Sequence, residues 1–134
     1  MALKTFYVGA KAVIRTDRGV LLIRHAGGWW DMPGGRLDDN EELEEALARE
    51  IREELPGAEL SHIHGLAGAH RVQKDVQGDI SLVLVYYYVS VNLPEKLQLS
   101  EEHDEYLWVK SADLLPEPLN PKMADIVKKT LEKG

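Results

Sequence analysis

The sequence predicts an α+β fold in which one mixed β-sheet lies between helical layers, and three observations point to it. Runs rich in β-branched and aromatic residues alternate with two amphipathic stretches, in the order strands, helix, strands, helix. The most apolar run, LVLVYYYV at residues 82–89, is far shorter than the ~20 residues of a membrane helix and reads as a central strand covered on both faces. The length, 134 residues, is that of one domain, spanning residues 1–134.

Residues 5–15, TFYVGAKAVIR, form the first strand. Thr16-Asp17-Arg18-Gly19 supplies turn chemistry, and residues 20–24 return as a second strand, making a hairpin. Gly27-Gly28 breaks it, and Trp29-Trp30-Asp31-Met32 leads into Pro33-Gly34-Gly35. Over residues 41–55, Leu43, Ala46, Leu47, Ile51 and Leu55 recur at three- and four-residue spacing, a helix with Asp39 or Asn40 as its N-cap. Pro56 ends it by disfavouring helical geometry at Leu55, and Gly57 takes the left-handed turn beyond. Residues 59–72 are a strand with a glycine-rich middle, residues 80–91 the central strand and residues 105–109 a short one. Asn120 caps the last helix, Pro121 occupies its first turn, and Met123, Ile126, Val127 and Leu131 form its buried stripe.

The net charge is −7, from 16 basic and 23 acidic residues. Residues 38–54 hold nine of the acids and two arginines, so this stretch carries the whole excess. A neutral remainder without a basic run offers no nucleic-acid track. The lack of cysteine excludes disulfides, thiolate metal sites and a Cys nucleophile, and fits a reducing compartment. The start, MALKTFYVGAKAVIR, has no apolar signal-peptide core. The expectation is a cytoplasmic protein with neither a membrane nor a nucleic-acid partner.

Chemistry concentrates in the acidic helix. At about 100° per residue, Glu50 and Glu54 lie about 40° apart, and Glu53 lies about 60° to the other side of Glu50. Three carboxylates therefore converge on the edge of the apolar stripe. Like charges at i,i+4 cost roughly 0.2–0.5 kcal/mol, and carboxylates in a last helical turn oppose the dipole at about 0.3–1 kcal/mol each. A helix built for stability alone would carry lysine there. Clustered carboxylate oxygens at a half-buried site suit a hard divalent cation, Mg²⁺ or Mn²⁺. Arg49, four residues from both Glu45 and Glu53, is placed to orient them.

The spacing of Gly35, five residues, Glu41, seven residues, then Arg49-Glu50-Ile51-Arg52-Glu53-Glu54 resembles the Nudix box of the Nudix hydrolases. Trp30-Asp31-Met32-Pro33-Gly34-Gly35 resembles the usual approach to it. The box spans residues 35–57 and matches at seven of nine specified positions, with Pro56 standing where the box has Gly. The resemblance implies a Nudix-like α/β/α sandwich. It also implies hydrolysis of a pyrophosphate linkage in a nucleoside diphosphate derivative. In that reading Glu50, Glu53 and Glu54 hold Mg²⁺, with Mn²⁺ a possible substitute, and Glu53 helps to activate water. Arg49 fixes the carboxylates, and Gly34-Gly35 lets the loop approach the helix closely. The same resemblance makes Glu102 a further metal ligand, with Glu105 as second candidate. It also puts Arg24, at the end of the second strand, against a phosphate or sugar, with Arg71 as another such residue. Trp30 or Trp29 offers a stacking face for a base, the other belonging to the core. Family enzymes are often dimers, so a homodimer is admitted.

Other functions compete. A nucleotide sensor without turnover would be expected to lose Glu50, Glu53 and Glu54, which are present here. A diphosphate isomerase of the same fold uses a cysteine that this chain lacks, and an RNA decapping enzyme needs the basic track that is absent. ADP-ribose hydrolases of the family tend to carry a proline beyond the box, and diadenosine polyphosphate hydrolases a tyrosine. Residues 58–85 contain neither, which leaves a nucleoside triphosphate, ordinary or oxidised, as the best substrate class.

Overall fold

β-Rich runs near both ends of the first ninety residues must pair somewhere, and a computed structural model describing residues 2–133 shows how. The strands are β1 (Phe6–Thr16), β2 (Gly19–His25), β3 (Trp30–Asp31), β4 (Gly34–Arg36), β5 (Glu59–Arg71), β6 (Ser81–Asn92) and β7 (His103–Val109). The helices are α1 (Leu43–Glu54) and α2 (Pro121–Glu132). β1 runs parallel to β6, in register from Phe6↔Ser81 to Ile14↔Val89. β5 continues the sheet antiparallel to β6, and β4 lies antiparallel to β1. The end of β1 turns into the hairpin with β2, which in turn pairs with β3 and β7. The sheet is thus mixed, as the sequence predicts, and β6 lies between two strands.

Period-two alternation on β1 divides the core. Ala10, Ala12 and Ile14 pack with Leu47, Ile51 and Leu55 of α1. Val13 packs on the other face with Tyr86, Met123, Ile126 and Val127 under α2. Asn120 caps α2 by accepting from the Lys122 N–H at 2.8 Å, with Pro121 at the first position. Among the described residues no helix is long and apolar enough to cross a membrane.

Two local expectations are corrected. The N-cap of α1 is Glu42, not Asp39 or Asn40, and the Glu45 carboxylate accepts from the Glu42 N–H at 3.0 Å. Asp39 instead takes a positive φ of 36° in a turn closed by the Asp38 N–H donating to the Glu41 carboxylate at 2.8 Å. β7 begins at His103 rather than 105 because pairing with β2 continues past a bulge after Arg24. β3 and β4, of two and three residues, are too short to leave a pattern. The end of α1 before Pro56 is as expected. The Leu55 N–H still bonds the Ile51 carbonyl at 2.9 Å, and Gly57 takes φ +90°.

Candidate active site

The last turn of α1 meets β4 through a buried carboxylate. Glu54 is 8% exposed, and its Oε1 accepts the Gly34 N–H at 2.7 Å. Burial pushes the Glu54 pKa up to about 8, with nearby Lys11 opposing the shift. Glu50 is also raised by burial, against the pull of Arg49. The role expected of Gly34-Gly35 is visible at Gly35, where a Cβ would lie 2.5–2.9 Å from the carboxyl atoms of Glu50. A Gly35→Ala variant is therefore expected to push the Glu50 carboxylate aside. Because only the tip of a flexible side chain moves, melting should shift by no more than about 2–3 °C. Divalent-cation affinity should weaken about tenfold, and a cation titration monitored by calorimetry checks this. Unchanged affinity would remove Glu50 from the metal site.

Arg49 ties the loop to the helix. Its Nε and Nη2 donate to Glu41 at 2.7 and 3.0 Å, and Nη1 reaches Glu50 at 2.9 Å and Glu53 at 3.2 Å. Nη2 also donates to the Arg36 carbonyl at 3.1 Å. The bonds to Glu41 and Glu50 hold the guanidinium pKa above its ordinary value, and the same bond lowers that of Glu41. One cation thus hydrogen-bonds three carboxylates from the loop and the helix, with Asp38 Oδ2 a fourth at 3.5 Å.

Beside this cluster opens a cavity of about 500 Å³. Glu50, Glu54, Glu102, Gly34 and Gly35 line it, together with the apolar side chains of Leu82, Leu84 and Met123. Glu102 therefore lines the same cavity as Glu50 and Glu54, whereas Glu105 pairs across from Arg24 on the β2–β7 ladder and is not among the lining residues. Glu53 stands outside the lining, its side chain 58% exposed and turned to Arg49. Among the described residues no three acidic or histidine side chains already stand in ligating geometry. Arg49 engages Glu50 and Glu53, while Gly34 engages Glu54.

Three sequence-predicted binding residues lie elsewhere. Trp30 is 8% exposed in the α2-side core, because strand pairing with Arg24 and the contact with Leu119 fold it inward. The neighbouring Trp29 is the one on the cavity wall, 46% exposed and stacked on His25 with ring centroids 4.0 Å apart. Arg24 is drawn to Asp104 at 2.8 Å and does not line the cavity. Arg71 donates to the Ser81 hydroxyl at 3.3 Å and covers the Phe6 ring, again off the cavity.

Sequence reasoning missed Lys11, Asp31 and His103, all of which line the cavity. Lys11 Nζ donates to Asp31 Oδ2 at 3.0 Å. Burial by itself pulls its pKa down, yet Asp31 and Glu54 hold it above the ordinary lysine value. His103 Nε2 lies 3.8 Å from Glu54 Oε2, and burial lowers its pKa, so at neutral pH this contact is not an ion pair. One signal was available: a single lysine within the otherwise apolar GAKAVI.

The NUDIX domain family model matches residues 5–130. A nucleoside triphosphatase NudI of Klebsiella pneumoniae (strain 342) is 36% identical over 110 residues, covering 78% of this chain and 74% of that protein. The MutT protein of Methanosarcina mazei Go1 superposes with a TM-score of 0.78 at 26% identity, over 99% of this chain and 97% of that one. A MutT NUDIX hydrolase of Burkholderia pseudomallei superposes with a TM-score of 0.76 at 28% identity, over 92% and 97%.

Proposed function

The chain belongs to the Nudix family of pyrophosphohydrolases, and we propose that it converts a nucleoside triphosphate to the monophosphate using a divalent cation, Mg²⁺ or Mn²⁺. On this reading residues 1–134 are one Nudix domain acting in the cytoplasm, alone or as a homodimer. The observation that carries it is the pair Glu50 and Glu54, half-buried and buried, facing one cavity with Glu102. Glu54 accepts a single hydrogen bond and keeps further lone pairs in a site where burial already disfavours its charge. Hard oxygen donors with free lone pairs, in a site that leaves their ionised form uncompensated, fit a hard divalent cation. Glu50, Glu53, Glu54 and Glu102 would hold it, and when bound it would neutralise phosphate charge and make water more acidic. Arg49 keeps Glu50 and Glu53 together, and Glu53, whose side chain is exposed to solvent, accepts a proton from water. Gly34 fixes Glu54 through its N–H. The triphosphate assignment rests on the name of the NudI relative and on the absence of Pro and Tyr from residues 58–85.

The test is a release screen over nucleotide classes with Mg²⁺ and then Mn²⁺, against a Glu53→Gln control. Release of pyrophosphate or phosphate from at least one triphosphate is expected, and none above the control would favour the sensor reading. Within the same assay Glu102→Gln should lower turnover at least about tenfold, and Glu105→Gln far less. Equal, near-normal rates would remove this loop from the metal site.

A further inference from the structure

Lys11 is out of keeping with its surroundings. It stands on β1 between Ala10 and Ala12, both fully buried, and its own side chain is nine-tenths buried. Opposite it on β6 is Tyr86, so it belongs to the sheet face that α2 covers. On that face the cavity walls are Leu82, Leu84 and Met123. An ion pair set between such walls and the nearby Glu50 and Glu54 carboxylates is weak evidence of a stabilising role. Removing two ions from water costs about what their attraction returns, and apolar residues of the same size commonly do as well or better.

The unused hydrogen-bonding capacity gives the pair another purpose. An ammonium has three N–H donors, and among the described residues the one side-chain bond Lys11 makes is to Asp31 Oδ2, 3.0 Å away. Neither Glu50 nor Glu54 accepts from it, although both carry their charge near it. Asp31 is fixed from behind, its Oδ1 accepting the Met32 N–H at 2.8 Å, and each of its oxygens retains a further lone pair. The cavity therefore presents a positioned donor beside a positioned acceptor, flanked by apolar walls and by the exposed indole of Trp29.

We propose that Lys11 and Asp31 read the base of the nucleotide and select a lactam edge, the carbonyl beside a ring N–H found in guanine, uracil and thymine. This inference rests on the triphosphate reading of the site. Lys11 donates to the base carbonyl while Asp31 accepts from the adjacent ring N–H. Held in the same orientation, adenine and cytosine present the reverse pattern. Their amino group would face the ammonium and their bare ring nitrogen the carboxylate, leaving buried polar groups unpaired on both sides.

The experiment compares kcat/KM for GTP, UTP, dTTP, ATP and CTP in the wild type, Lys11→Met and Lys11→Met/Asp31→Asn. The single variant leaves Asp31 buried and unpaired and can fail to fold, so the double variant, which removes both charges, carries the test alongside it. Thermal melting reports the folding of each. The wild type is expected to favour the three lactam bases by about 100-fold, chiefly through KM, and the ratio should fall below about fivefold in the double variant. In equilibrium dialysis without metal, GMP should bind wild type more tightly than AMP, and the double variant should bind both alike. Hydrolysis by wild type with no base preference, or a preference that survives in the double variant, overturns the inference alone. Failure of the wild type to hydrolyse any of the five overturns the triphosphate reading and the inference with it.

Discussion

Glu54→Gln is expected to lose turnover by about 10²–10³-fold while its metal-free form becomes more stable than wild type at pH 8. Glutamine keeps a carbonyl oxygen for the Gly34 N–H, the 2.7 Å bond that Glu54 makes, and discards only the charge. Burial holds the Glu54 pKa at about 8 in the folded chain, against an ordinary value near 4.3 when unfolded. A raised folded pKa gives stability that is fully present below the unfolded value and lost as pH rises through the folded one. From about pH 5 to pH 8 the metal-free wild type should therefore lose up to about 1.4 kcal/mol per pH unit through this group, and Glu54→Gln should not. Added Mg²⁺ should raise the melting temperature of wild type by linkage and that of the variant less. Thermal unfolding of both proteins at pH 5 and pH 8, in chelator and in millimolar Mg²⁺, checks all three statements. A variant that melts below wild type in chelator at pH 8 would mean that the ionised carboxylate has a structural partner stronger than its burial cost. Equal shifts with Mg²⁺ would put the cation elsewhere.

Arg49→Lys is expected to cost about 1–3 kcal/mol of stability and about 100-fold in activity, although the charge is conserved. The guanidinium spans Glu41, Glu50, Glu53 and the Arg36 carbonyl at 2.7–3.2 Å. A lysine ammonium is a point charge with three donors and cannot reach from the loop to both helical carboxylates at once. The range is held low because the side chain is 21% exposed and solvent compensates part of the loss. Denaturant unfolding gives the stability change, and cation titration should show that affinity falls along with turnover. A variant with wild-type stability and cation affinity would reduce Arg49 to surface cover.

Much of this protein was legible along the chain because its signals are local. Helical spacing marked α1 and α2, Asn120 and Pro121 marked the start of the second, and the acidic run through Glu54 marked the chemistry. Those patterns depend on neighbours three or four residues away, whose geometry backbone sterics dictate. Pairing decided the rest. Lys11 lies 20 residues from Asp31 and lines the same cavity as Glu54 and Glu102 because β1 pairs with β4 and, through β2, joins β7. Trp29 and Trp30 are adjacent and chemically identical, yet pairing with Arg24 buries one and leaves the other on the cavity wall. Arg24 and Arg71 carried the right charge for a phosphate but found Asp104 and Ser81 in the folded chain. Spacing determines which side chains a single element brings together. Only strand register, set by packing over the whole core, determines which elements face one cavity.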